Sequence, residues 1–143
     1  MSKSIRLRLS SYCIGILSLF IYNNAFSYNA ADLKGFWAMK PLDNGMANVG
    51  YFDGKTKSIL YSFTCDFNQQ AVISEEEPEE AHYEVKDDVI YLSYPDLDDM
   101  FSRELKFEKI SDTQLLMEER HPNFVSTYEY VKMNEAKSLC FTQ

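Results

Sequence analysis

The period that recurs along this chain is two residues, not 3.6. Ile59, Tyr61, Phe63 and Cys65 alternate with Ser58, Ser62 and Thr64, and Leu60 is the exception on the polar side. Tyr83 and Val85 alternate with His82 and Glu84, Leu105 and Phe107 with Glu104, Lys106 and Glu108, and Leu115 and Met117 with Gln114 and Glu118. Successive side chains of a strand point to opposite faces, so each segment reads as a half-buried strand. Tyr, Phe, Val and Ile supply the composition that a pleated, half-covered surface favours.

Turn chemistry punctuates these segments at short intervals: Asp43-Asn44-Gly45, Asp53-Gly54, Lys86-Asp87-Asp88, Tyr94-Pro95-Asp96, Ser111-Asp112 and His121-Pro122-Asn123. The pattern places strands near residues 33–39, 47–52, 58–65, 70–73, 82–85, 89–93, 103–110, 114–119 and 124–133, one of the nine being a short extension or bent half-strand. Connections this short make sequential strands antiparallel neighbours. A meander of about eight strands with one apolar face loses its exposed edges by closing, so the expected fold is an all-β, antiparallel barrel. The alternative is a β-sandwich, which needs longer crossovers than the spacing provides.

The N-terminus carries a different signal. Lys3, Arg6 and Arg8 precede the apolar run of residues 12–22, and Ala25-Phe26-Ser27 sets small residues at −3 and −1 before Tyr28. That is the layout of a cleaved secretory signal peptide over residues 1–27, with an apolar core too short to span a bilayer stably. The expected product is a single exported domain of residues 28–143, periplasmic or extracellular. It holds 11 basic and 22 acidic residues, a net charge of −11. Such a chain is repelled by nucleic-acid phosphates and anionic lipid surfaces, which excludes nucleic acid as a partner and any stable membrane insertion after cleavage. A small apolar molecule or a cationic protein is the expected partner, and the domain reads as a monomer.

Cys65 and Cys140 are the two cysteines left after cleavage, and an exported domain with an even count favours a disulfide between them. The loop closed would be about 75 residues, worth on the order of 4 kcal/mol in the chain-entropy picture.

Leu33-Lys34-Gly35-Phe36-Trp37 opens the first strand, and Phe52-Asp53-Gly54, the run from Tyr83 to Asp88, and Tyr128-Glu129-Tyr130 follow it. On these motifs the chain resembles the lipocalin and fatty-acid-binding-protein superfamily, the calycins, and more closely the short bacterial lipocalin-like domains. The resemblance implies a small barrel whose Gly-x-Trp strand places Trp37 at one end, and a non-catalytic role in holding a small, largely apolar ligand. Lipocalins usually cover that Trp with a late Arg, where this chain offers Lys132, with Arg120 just before it, and the long helix after the barrel is lacking. An eight-stranded barrel is just wide enough to be filled by side chains or to hold one small ligand.

Nothing in the chain marks an enzyme. His82 and His121 lack the spacing of a helical metal site, and no Gly-x-Ser-x-Gly elbow, phosphate loop or Cys–His pairing occurs. No catalytic residue, metal or cofactor is expected. Asp96, Asp98 and Asp99, with Glu104 nearby, lack the glycine and terminal Glu of a calcium loop and read as a solvated turn. The candidate ligand-binding set is Trp37, Tyr61, Tyr91, Tyr94, Tyr128 and Tyr130; Trp37 doubles as a core residue, and tyrosines offer an apolar body with a hydroxyl. A competing function is an acidic inhibitor or immunity protein that neutralises a cationic enzyme or toxin. Its partner-binding loops would be the run over residues 75–80, with Glu76, Glu77, Glu79 and Glu80, and the turn of Asp96, Asp98 and Asp99.

Overall fold

Eight antiparallel strands close on themselves in the computed structural model, which describes residues 27–75, 77–95 and 102–142. A single 3-10 turn, Ala30–Leu33, leads into ten strands: β1 (Gly35–Met39), β2 (Val49–Phe52), β3 (Lys57–Tyr61), β4 (Phe63–Asp66), β5 (Ala71–Ser74), β6 (Glu79–Lys86), β7 (Val89–Ser93), β8 (Ser102–Ser111), β9 (Gln114–Arg120) and β10 (Val125–Met133). The barrel runs β1-β10-β9-β8-β7-β6-β3-β2 and closes where β2 pairs with β1, while β4 and β5 form a separate two-stranded hairpin. The residues expected to form a signal peptide lie outside those described, apart from Ser27. Among the described residues no helix is long and apolar enough to cross a membrane.

The segment 58–65, read from the sequence as one strand, breaks at Ser62 into β3 and β4. Two forces turn the chain out of the barrel there. The β1–β2 loop captures β4, with Ala47 N–H donating to Phe63 O (2.9 Å) and Cys65 N–H to Gly45 O (2.7 Å). Gly45 makes this approach possible: its φ is +88°, and a Cβ there would stand 2.6 Å from the Cys65 carbonyl. Cys65 is also bonded to Cys140, which ties the C-terminal tail to the hairpin, and both are buried with Ala47. With β4 diverted, β3 pairs directly with β6, which begins at Glu79, three residues before its expected start.

The facing of β3 is also the reverse of the reading that grouped Ile59 and Tyr61 on the core side. Ser58 pairs with the inward Phe52 and Leu60 with Gly50, so Ile59 and Tyr61 face outward. A one-residue change of phase flips a whole strand face. Outside, Phe36, Tyr51 and Tyr61 pack together, with ring centroids 4.8 and 6.4 Å from Phe36.

One end of the barrel is plugged. Trp37 and Leu33 are wholly buried there, with Tyr83, Ile90, Phe107 and Leu115. The indole N–H of Trp37 donates to the Leu33 carbonyl at 2.6 Å, and the Lys132 ammonium sits 5.3 Å from the ring centroid. Lys132, the residue that the sequence offered to cover the Trp, thus lies over it. Gly35 permits the entry: its φ of +119° is disfavoured for any residue with a Cβ. Tyr28 packs at a tilt on Phe107, with ring centroids 4.9 Å apart, and the Tyr83 hydroxyl donates to the Ala30 carbonyl at 3.3 Å. Burial pushes that hydroxyl up to about 12.

Reducing Cys65–Cys140 should lower stability by up to about 4 kcal/mol, the chain-entropy value for its 75-residue separation. Thermal unfolding with and without reductant measures this, and the barrel's far-UV β signal should persist in the cold. An unchanged melting temperature would mean that the hairpin and tail hold together without the bond.

Candidate functional site

The upper half of the barrel is hollow. Its side chains leave a cavity of about 290 Å³, to which all eight barrel strands contribute. A depression of about 610 Å³ on the outer surface lies beside Asp32, Lys109 and Asp112.

The hollow arises from small residues on one wall. Across β2, β3 and β6 the inward rows read Phe52-Ser58-Ala81 and Gly50-Leu60-Glu79. Gly50, Ser58 and Ala81 are too small to meet the opposite wall. That wall carries Leu92 from β7 and Tyr94 just after it, Leu105 from β8, Met117 from β9, and Tyr128 and Tyr130 from β10. Phe52, edge-on to Tyr83 at 5.0 Å, separates this space from the plugged end.

Two charges project into the same space. Arg103 on β8 and Glu119 on β9 face each other inside the barrel, with Nε to Oε1 at 2.9 Å and Nη2 to Oε2 at 2.7 Å. This two-pronged arrangement is the strong form of the pair. Only 16 % of the Glu119 side chain is exposed, against 37 % for Arg103. The guanidinium bonds hold the Glu119 carboxyl below the usual carboxylate range against opposing desolvation, and Tyr128 adds to the effect. The same pairing raises Arg103, with Tyr94 also acting on it. His121 Nε2 lies 3.8 Å from Glu119 Oε2, and its ring stacks on Phe124 at 4.3 Å.

Of the candidate ligand-binding residues, the structure brings Tyr94, Tyr128 and Tyr130 to the cavity. It does not bring the other three. Trp37 is sealed in the plug; Tyr61 packs outside against Phe36. Tyr91 lies on the outer face, 36 % exposed, with the Lys86 ammonium 5.4 Å from its ring centroid. The acidic run is not one loop: Glu77 is exposed in the bend, but Glu79 and Glu80 belong to β6. Glu79 takes an inward register position at the cavity rim, and Glu80 meets Lys57 at 2.9 Å. Glu76, Asp96, Asp98 and Asp99 lie outside the described residues. Among those described, no cluster of three or more His, Cys, Asp or Glu could hold a metal ion.

Arg103, Glu119, Gly50 and Ala81 escaped the sequence reading. A signal for the first two was present: each stands two residues from a core position, Leu105 and Met117, in phase with the buried face and of opposite sign. Charges at apolar phase on consecutive strands mark an interior pair. No protein-family model, curated protein or solved structure matches the chain.

Glu119→Gln should cost about 2 kcal/mol at pH 7, between the ~1 of an exposed pair and the ~3–5 of a buried one losing a partner. The carboxyl is lowered, so its contribution is whole above the ordinary value of 4.5 and is lost as pH falls through the lowered value. Denaturant unfolding of protein and variant from pH 7 to pH 3 should therefore show the gap between them closing below about pH 4.5. A gap that stays constant would show that the pairing contributes nothing to stability.

Proposed function

We propose that this protein is a non-catalytic binding protein that works outside the cytoplasm, after loss of residues 1–27, and holds a small, largely apolar ligand in its barrel. The observation that carries the reading is the half-filled interior: a closed floor, an open end, and about 290 Å³ between them lined mainly by apolar side chains. Ligand sites are commonly concave, mostly apolar and provided with a few convergent polar groups, and a barrel mouth is one of their usual places. The size also fits. A dry cavity of ~150 Å³ accepts benzene, so this one suits a molecule of about two rings.

The neutral fluorophore N-phenyl-1-naphthylamine, with its naphthalene in the cavity and its phenyl ring at the open mouth, should bind with low-micromolar affinity, brightening as it leaves water. Gly50→Leu provides the control. A Cβ at Gly50 meets only Phe52, at 3.4 Å, so the larger side chain can enter the cavity without backbone strain. The variant should keep its stability and bind at least 10-fold more weakly. No binding by the parent protein, or equal binding by the variant, would overturn the reading.

A second reading, attachment to a cationic protein, draws on the β4–β5 hairpin. The outer edge of β5 has no backbone partner among the described residues, and Phe67, Val72, Ile73 and Phe141 are each about half exposed. An open edge beside exposed apolar side chains is a surface that proteins use for strand addition. Here the acidic run follows it directly. Under this reading a cationic partner associates more slowly as salt rises, and Val72→Pro, which removes an outward N–H, weakens the complex. Insensitivity to both would exclude it.

A further inference from the structure

The cavity's polar groups are unevenly committed, and this specifies its ligand more closely than apolar lining does. The inference rests on the ligand-binding reading above. Arg103 spends Nε and Nη2 on both oxygens of Glu119. An acidic ligand would have to break that pair or sit beside it, where Glu119 and the rim carboxylate of Glu79 already supply two negative charges. A cationic ligand would be desolvated against the guanidinium. Uncompensated charge is costly in such a space, so neither ion suits it.

Tyr130 is different. It lines the cavity from β10 and makes no side-chain hydrogen bond among the described residues. Burial raises its hydroxyl above the usual phenol range against the opposing pull of Arg103, with Tyr128, Glu119 and Tyr94 adding to the rise, so it remains an O–H donor. Tyr94 acts on Arg103 and Tyr128 on Glu119, so Tyr130 is the cavity tyrosine whose hydroxyl is not engaged by either charge through a hydrogen bond. Tyr130 is half-buried and its hydroxyl is open to the cavity, where a ligand acceptor in apolar surroundings would gain a hydrogen bond.

We propose that the barrel binds an uncharged molecule of about two rings carrying one hydrogen-bond acceptor, a ketone or ester carbonyl, that receives the Tyr130 hydroxyl. Arg103 is then a positioning residue, held against the wall by Glu119 rather than offered to the ligand. Specificity comes from a single polar contact in apolar surroundings, where a missing partner discriminates strongly.

Three probes of one shape separate the possibilities: naphthalene, 2-acetylnaphthalene and 2-naphthoate, each measured at pH 7 by displacement of N-phenyl-1-naphthylamine from the exported protein. The ketone should bind roughly 3- to 10-fold more tightly than naphthalene, the range one net hydrogen bond supplies. The carboxylate should bind at least 10-fold more weakly than the ketone. Tyr130→Phe, which keeps the ring and removes only the hydroxyl, should abolish the ketone's advantage and leave naphthalene affinity unchanged. Equal binding of ketone and naphthalene, tightest binding of naphthoate, or a ketone preference that survives Tyr130→Phe would each overturn the proposal while leaving the cavity reading standing. Failure of all three probes to bind would overturn both.

Discussion

The fixed indole of Trp37 determines which half of this barrel is solid and which is hollow. Its N–H is bound to the Leu33 carbonyl and its ring lies under the Lys132 ammonium. The 3-10 turn is thereby pulled across one end, with Tyr28 and Ala30 packed on the same core. A buried Trp is both a large apolar body and a donor that must be satisfied, so it fixes distance and direction together. Every bulky wholly buried aromatic lies in this half: Trp37, Tyr83 and Phe107. Because the plug is made by the chain's own N-terminal segment, the opposite end needs no closure for the barrel to be stable. Space can remain there without exposing the core.

Keeping that space open takes a second device. Close packing is the default for protein interiors, and an apolar void forfeits dispersion contacts along its walls. The barrel accepts this loss where strand pairing rather than side-chain filling sets the width: β2, β3 and β6 carry Gly50, Ser58 and Ala81, yet are held apart from β8 and β9 by the closed ladder. The Arg103–Glu119 pair props the far wall. It links adjacent strands near the open end, and it keeps two charges in the interior that would otherwise have to be solvated. A hydrophobic pair of the same volume would pack as well or better, so retaining ions there bears more readily on what enters than on stability.

Much of this was legible in the sequence, and what was not has identifiable causes. The alternation in residues 103–110 and 114–119 located β8 and β9 to within a residue at each end, because the buried phase there is unbroken. Turn chemistry served as well: the Asp53 carboxylate accepts the N–H groups of Lys55, Thr56 and Lys57 between 2.7 and 3.1 Å, closing the β2–β3 connection where Asp-Gly marked it. In β3 the same rule misled. Leu60 is the one apolar residue on the minority face, and it points inward together with Ser58, while Ile59 and Tyr61 cover the outside. An external aromatic cluster around Phe36 makes the outer face apolar too, and period two cannot say which of two apolar faces is the core. The departure of β4 depends on hydrogen bonds to the β1–β2 loop, a contact that no local pattern encodes. Tyr94, Tyr128 and Tyr130 were found because an aromatic residue with a hydroxyl is conspicuous. Gly50 and Ala81 were missed because the feature that matters is volume they lack.

The hairpin that β4 and β5 form has a consequence for the cavity as well as for the surface. Met46, which lines the cavity, bridges to Thr64 on β4, so the mouth and the hairpin share a backbone contact. Cys65, the next residue, is bonded to Cys140, and Phe67 meets Phe141 edge-on with centroids 6.0 Å apart. The C-terminal tail is therefore tied to β4 by one covalent bond and to the turn after it by one aromatic contact. An attachment to the exposed side of β5 would pull on β4 through its ladder, and through Met46 on the wall of the cavity. The two functional readings thus share one backbone contact, because Met46 lines the cavity and pairs with Thr64 of the hairpin. In an oxidising compartment the Cys65–Cys140 bond persists, and with it the tie between the C-terminal tail and the hairpin beside the cavity.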